Sequence, residues 1–161
     1  RTPSDDKSCN ICSGVFLPDD RIVLCDAGNK KLKLFDKYFH FVSDLTMQRM
    51  PRYICGVDQQ TVAVTGGKRL FLVTVTNVLT QIKSIYVGSY CHGVASYVQN
   101  IFVCVSGRAI YIYMEHHTLS SKLLSLHTNL ATALFILDRT EKISITHMEI
   151  KSLQWTWKGR K

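Results

Sequence analysis

An alternating apolar hairpin that returns about every forty residues constrains this chain more than anything else in it. The first copy spans 19–35, DDRIVLCDAGNKKLKLF. A polar turn at Asp19, Asp20 and Arg21 leads into Ile22, Val23, Leu24 and Cys25. A second turn from Asp26 to Asn29 reverses the chain, and Leu32 and Leu34 then alternate with lysines. Two runs of period two joined by a short polar turn specify a β-hairpin.

The end of the first strand, Leu24-Cys25-Asp26, aligns with runs ending at Thr65, Ser106 and Thr146, so Asp26, Thr65, Ser106 and Thr146 fall 39, 41 and 40 residues apart. Val23, Val62, Val103 and Ile143 are apolar in all copies, as are Cys25, Val64, Val105 and Ile145 two residues on. A spacing of two puts each pair on one face of a strand, and the alignment predicts the same face in every copy. Repetition at this period, with strands and no helical periodicity between most copies, is the signature of a propeller built from four-stranded sheets.

The predicted fold is therefore all-β: a partial β-propeller of about three and a half four-stranded antiparallel blades. Blades are expected at 11–50, 51–90 and 91–128, with a partial blade at 129–161. Within them, strands are expected at 11–17 and 38–42 around the first hairpin; at 53–57, 61–65, 70–76 and 81–87; at 93–97, 100–105, 109–114 and 121–126; and at 131–137 and 142–146. Residues 1–10 are polar and are expected as a ragged end, or as the tail of a preceding blade or linker. Leu119, Leu123, Leu126, Leu130 and Leu134 also fit an amphipathic helix, a rival that the repeat period disfavours. Closed propellers have about four to eight blades, so the 161 residues are expected to be a piece of a longer protein.

Strands in a blade run alternately up and down. The second-to-third turns and the blade-to-blade connections therefore emerge on one face. The turns carry Lys30, Lys31 and Lys33, then Lys68 and Arg69, then Arg108, then Lys151; the connections carry Arg49, Arg52 and Tyr53, then Tyr90 and His92, then His127. Much of the formal charge of +8 thus gathers on one rim. The residues expected to meet a partner are Lys30, Lys31, Lys33, Arg52, Tyr53, Lys68, Arg69, Tyr90, His92 and Arg108. A basic surface interleaved with Tyr and His suits an acidic protein segment first, and single-stranded RNA second.

Other chemistry finds less support. Cys9-x-x-Cys12 lacks a second pair at zinc-finger spacing, and the six cysteines are dispersed, as expected of reduced thiols in a cytoplasmic protein. No metal, cofactor or catalytic residue is expected. Asp26 is expected to accept backbone hydrogen bonds in its own turn. His116, His117 and His147 have no recurring carboxylate or nucleophile beside them, and Trp155 and Trp157 alternate as packing residues do. With no run of about 18 apolar residues, no membrane association is expected.

The run GVFLPDDRIVLCDAGNKKLKLFD, residues 14–36, resembles the NHL-type propeller repeats at the C-terminal end of tripartite-motif proteins, in the divergent forms abundant in molluscs and other invertebrates. In both, a glycine and apolar strand precede a proline-acidic turn. An apolar strand ending in Asp, an Asn-containing turn and a lysine-leucine strand follow. YVQNIFVCVSGRAIYIY at 97–113 and KISITHMEIKSLQ at 142–154 look like further blades of this kind. The resemblance implies a six-bladed ring acting as a non-enzymatic docking surface for protein or single-stranded RNA. No RING or B-box array of cysteines and histidines is present, so the ubiquitin-ligase activity of such proteins is not expected in this segment. The alternative is part of a lactonase-like six-bladed propeller hydrolase. Those bind calcium at their axis through acidic residues, whereas the positions matching Asp26 are Thr65, Ser106 and Thr146.

Overall fold

The computed structural model describes residues 1–97 and 100–105 with their side chains, and the strands at 108–115, 118–124, 135–137 and 143–145 by their backbone. Blade 1 is β1 (Ile11–Phe16), β2 (Ile22–Asp26), β3 (Lys31–Phe35) and β4 (Phe41–Thr46). Blade 2 is β5 (Tyr53–Gly56), β6 (Thr61–Gly66), β7 (Arg69–Val75) and β8 (Leu79–Tyr86). Blade 3 is β9 (Cys91–Tyr97), β10 (Asn100–Val105), β11 (Arg108–Glu115) and β12 (Thr118–Leu124), and β13 (Phe135–Leu137) pairs with β14 (Ile143–Ile145). Within each sheet, neighbours in sequence are neighbours in space, and all pair antiparallel.

The first strands contact one another in order, β1 with β5, β5 with β9 and β9 with β13, as strands nearest a common axis do. The chain is an all-β partial propeller. The run that could have been a helix begins as strand β12, and its remainder at 125–134 lies outside the described residues. So do His116, His117, His127, His147, Lys151, Trp155 and Trp157.

The core lies between blades. Val23, Cys25, Leu32 and Leu34 of blade 1 pack with Val62, Val64, Phe71 and Val73 of blade 2. Ala63, Leu70 and Leu72, on the other face of blade 2, pack with Ile101, Val103 and Val105 of blade 3. Val23, Val62 and Val103 are all wholly buried on second strands. Their faces differ, however: Val23 looks toward the next blade, Val62 and Val103 toward the preceding one. The repeat alignment is therefore one residue out of register at blade 1, where Val23 corresponds to Ala63 and Lys33 to Phe71. In a strand a one-residue slip exchanges the two faces. The four-residue turn after Asp26, against the two-residue turn after Gly66, hides the slip in the sequence.

The outer strand of blade 1 begins later than the expected 38–42. Asp36 caps a turn, its Oδ1 accepting from the amides of Tyr38 at 2.9 Å and His40 at 2.8 Å, while Phe39 takes φ 64°. A capping Asp postpones the strand although the residues themselves alternate. Gly67, at φ +61°, supplies the left-handed position of the β6–β7 turn. Gly66 is needed for closeness: a Cβ there would stand 2.9 Å from the Met50 carbonyl oxygen and 3.2 Å from the Phe71 ring. Gly66→Ala is expected to destabilise the chain by about 1–3 kcal/mol, read as a lowered urea midpoint with unchanged slope.

Residues 1–10 are no ragged end. Thr2 and Asp5 are buried, the Asn10 carbonyl accepts from Ala27 N at 2.8 Å, and Asn29 exchanges two hydrogen bonds with the Lys7 backbone. Polar composition misleads here because the segment packs on a polar patch of blade 1.

Candidate functional site

The polar patch is an ion cluster centred on Lys33, which lies in the middle of β3 and is 1 % exposed. Its Nζ stands 2.7 Å from Asp5 Oδ2, 2.6 Å from Asp26 Oδ2 and 3.2 Å from Cys9 Sγ. Asp26 Oδ1 accepts from the amides of Asn10, Gly28 and Asn29 at 2.9, 3.0 and 3.2 Å, and its Oδ2 also accepts from Asn29 Nδ2. Asp5 Oδ2 accepts from Thr2 N at 2.6 Å. Burial pushes both carboxyls up, but the Lys33 ammonium and the backbone amides outweigh it and hold them well below the usual carboxylate range. For Lys33 burial alone would lower the value; Asp26 and Asp5 reverse this and raise it above the ordinary lysine range.

Asp5, Cys9 and Asp26 offer oxygen and sulfur atoms close enough to hold a cation, and the ammonium of Lys33 lies among them. Lys33 was expected on the rim and is instead buried in the sheet. Lys31 leans the same way, its Nζ donating to Ser4 O at 2.6 Å and Asp44 Oδ2 at 3.1 Å. Both side chains leave β3 on the face away from blade 2, where carboxylates await them.

The remaining rim cations converge. Lys30, Arg52, Tyr53, Lys68, Arg69, Tyr90 and His92 line one cavity of about 790 Å³, together with Gln48, Arg49, Met50, Gly67, Tyr86 and Cys91. Only the backbone of Arg108, at the start of β11, is described. Backbone bonds fix the cavity walls. Met47 N donates to Lys30 O at 2.8 Å and Arg52 N to Thr65 O at 2.8 Å, tying the first connection to the turns of blades 1 and 2. Val87 N donates to Lys68 O at 2.9 Å and Cys91 N to Gly67 O at 3.0 Å, fixing the second.

Among the described residues no carboxylate lines this cavity, while five cations do: Lys30, Arg49, Arg52, Lys68 and Arg69. Two stand over aromatic rings, Lys68 Nζ at 5.4 Å from the Tyr90 centroid and Arg69 at 5.9 Å from that of Tyr86. Such contacts orient ring and charge without neutralising the charge. Arg69 Nη1 also donates to Ser84 Oγ at 3.0 Å. Tyr86 and Tyr90 remain 63 % and 62 % exposed, open to a ligand. Burial, then the neighbouring Cys104, push the Cys91 thiol up to about 11, so it is protonated at neutral pH and no nucleophile. The arrangement can hold anions and stack planar groups.

Sequence reasoning missed Tyr86. The signal was available: a fourth strand ends on the face where the second-to-third turn lies, so its last residue pairs with the first of the third strand, as Tyr86 does with Arg69.

No family model matches the chain, and no curated protein matches it. Among solved structures, it is similar to a protein from Lactobacillus plantarum, with TM-score 0.62 and 16 % identity over 78 % of this chain and 44 % of that one. It is also similar to Hsv2 of Kluyveromyces lactis, with TM-score 0.55 and 10 % identity over 73 % of this chain and 38 % of that one. The chain spans less than half the length of either. Among the described residues no helix is long and apolar enough to cross a membrane. Likeness at such identities establishes the fold alone, and that fold is a β-propeller.

Proposed function

We propose that this chain is a non-enzymatic interaction module, a propeller docking surface like those of tripartite-motif proteins with NHL repeats, and that it takes an acidic protein segment in the basic cavity. One observation carries the reading: five cations and three tyrosines surround a cavity with no carboxylate among its described lining residues. Cations gathered without counter-charge repel one another, and an anionic partner relieves that repulsion. The cation–π contacts hold Tyr86 and Tyr90 ready for stacking at low entropic cost.

The lactonase-like alternative needs acidic residues free to act at the axis. Asp26, the residue that would start such a set, already serves its turn, the Asn10 amide and Lys33. A cytoplasmic location belongs to the same proposal and accords with the free thiols of Cys25 and Cys91, both buried.

Fluorescence anisotropy with a glutamate-rich peptide tests the proposal. Binding is expected to weaken as salt rises, and Lys30→Glu, Arg52→Glu, Lys68→Glu and Arg69→Glu together are expected to abolish it while the circular-dichroism spectrum stays unchanged. Equal binding by that variant overturns the site. Binding of oligouridylate in place of the peptide would make single-stranded RNA the partner class.

A further inference from the structure

The five cations of the basic cavity are carried by three segments. Lys30 closes the β2–β3 turn, Arg49 and Arg52 lie on the connection between blades 1 and 2, Lys68 lies in the β6–β7 turn and Arg69 opens β7. Backbone bonds hold each segment against the next: Met47 N donates to Lys30 O, Arg52 N to Thr65 O and Val87 N to Lys68 O. The convergence of charge is thus built into the fold. Lys31 and Lys33 of the adjacent β3 each have a carboxylate within 3.1 Å, whereas among the described residues none of the five cavity cations is paired with one.

Cations gathered around one cavity of about 790 Å³ suit a compact, multiply charged anion better than carboxylates strung along an extended chain. A phosphoryl group brings a charge of about −1.5 to −2 and three acceptor oxygens to one point, and arginine meets such a group with two parallel N–H donors. Single-stranded nucleic acid spreads its charge along a backbone and asks for a groove that tracks it, which a single ringed cavity does not provide. The cavity also offers flat walls. Tyr86 has the Arg69 guanidinium and Tyr90 the Lys68 ammonium over its ring, and both rings stay largely exposed, so each keeps surface for a second planar group.

We propose, resting on the docking reading above, that the residue of the acidic partner segment seated in this cavity is a phosphotyrosine. Its phosphoryl group lies among the unpaired cations and its ring against Tyr86 and Tyr90. Phosphotyrosine is the protein side chain that is both flat and doubly charged, and so the one that answers both features of the cavity. Phosphoserine supplies the charge without the ring, glutamate a single charge without the ring, and unmodified tyrosine the ring without the charge.

Fluorescence anisotropy of the full chain decides the matter, with acidic peptides identical except at one central position that holds phosphotyrosine, phosphoserine, glutamate or tyrosine. The phosphotyrosine peptide is expected to bind at least about thirtyfold more tightly than the glutamate and tyrosine peptides, and about tenfold more tightly than the phosphoserine peptide. Tyr86→Leu with Tyr90→Leu, both on exposed rings, is expected to bring the two phosphopeptides within about threefold of each other, the fold being checked by circular dichroism. Arg52→Gln with Lys68→Gln is expected to weaken both phosphopeptides at least about tenfold. Equal affinity for the phosphotyrosine and glutamate peptides overturns the inference and leaves the docking reading standing. Equal affinity for the two phosphopeptides in the parent chain, or an undiminished preference in the doubly leucine-substituted chain, overturns it too. Binding of none of the peptides overturns both. Displacement of the phosphotyrosine peptide by uridine monophosphate at lower concentration than by phenyl phosphate overturns the inference in favour of a nucleic-acid ligand.

Discussion

Lys33→Met is expected to destabilise the chain by about 3–5 kcal/mol, a large share of the roughly 5–15 kcal/mol that holds a domain together. Methionine fills nearly the same volume, so the loss comes from charge. With the ammonium gone, Asp5 and Asp26 would remain buried, and one oxygen of Asp5 has no partner even with Lys33 present. Isolated buried carboxylates are far costlier than a well-packed apolar group in their place. Thermal or urea unfolding of the full chain measures the change, and a loss below about 1 kcal/mol, the ceiling for a surface pair, would show that the cluster is wet.

The same charges set the pH dependence. In the parent chain Asp5 and Asp26 titrate below their unfolded range, so their contribution is fully present above about pH 4 and is lost as pH falls through the folded values. Lys33 titrates above its unfolded range, so its contribution is present below about pH 10 and is lost as pH rises through the folded value. Between those limits this cluster adds no slope. In Lys33→Met the direction is expected to reverse for the acids, because the ammonium that chiefly opposed burial is gone and burial then outweighs the remaining hydrogen bonds to the two carboxyls. The variant is expected to gain stability between pH 7 and about pH 5, where the parent stays flat. Parallel urea midpoints at the two pH values check the sign, and parallel behaviour of the two chains would refute the account.

Much of this architecture is written in strand alternation. Val23 and Cys25, or Leu70 and Leu72, announce their strands because one face of a sheet is apolar wherever it meets another sheet. The rim was legible for a topological reason: second-to-third turns and connections must share a face, and Lys30, Arg52, Lys68, Arg69, Tyr90 and His92 accordingly meet at one cavity. Lys33 was not legible. A lysine alternating with leucines reads as the solvated side of a hairpin, and only the three-dimensional return of Asp5, 28 residues earlier, turns that side into an interior. The ordering of residues 1–10 was hidden for the same reason, since Thr2, Asp5 and Asn10 are polar residues whose partners are polar. Tertiary pairing of charges leaves no periodic trace.

Register was the other hidden quantity, and Phe71 exposes it. Phe71→Ala is expected to cost about 3–5 kcal/mol, because the ring is wholly buried between blades 1 and 2 and only partial collapse can follow its removal. The face it occupies can be read by double-mutant cycles. Phe71 and Leu32 belong to one core cluster, Leu72 and Val103 to the other. Phe71→Ala should therefore couple with Leu32→Ala by about 0.5–3 kcal/mol and add to Val103→Ala within about 0.5 kcal/mol. Leu72→Ala should do the reverse, coupling with Val103→Ala and adding to Leu32→Ala. Had blade 1 been in the register of the repeat alignment, with Val23 equivalent to Val62, Leu32 would face away from blade 2 and its coupling with Phe71 would vanish, while that of Leu72 with Val103 would remain. Alternation makes adjacent residues of one strand report on different blades, so four substitutions distinguish a shift of a single residue.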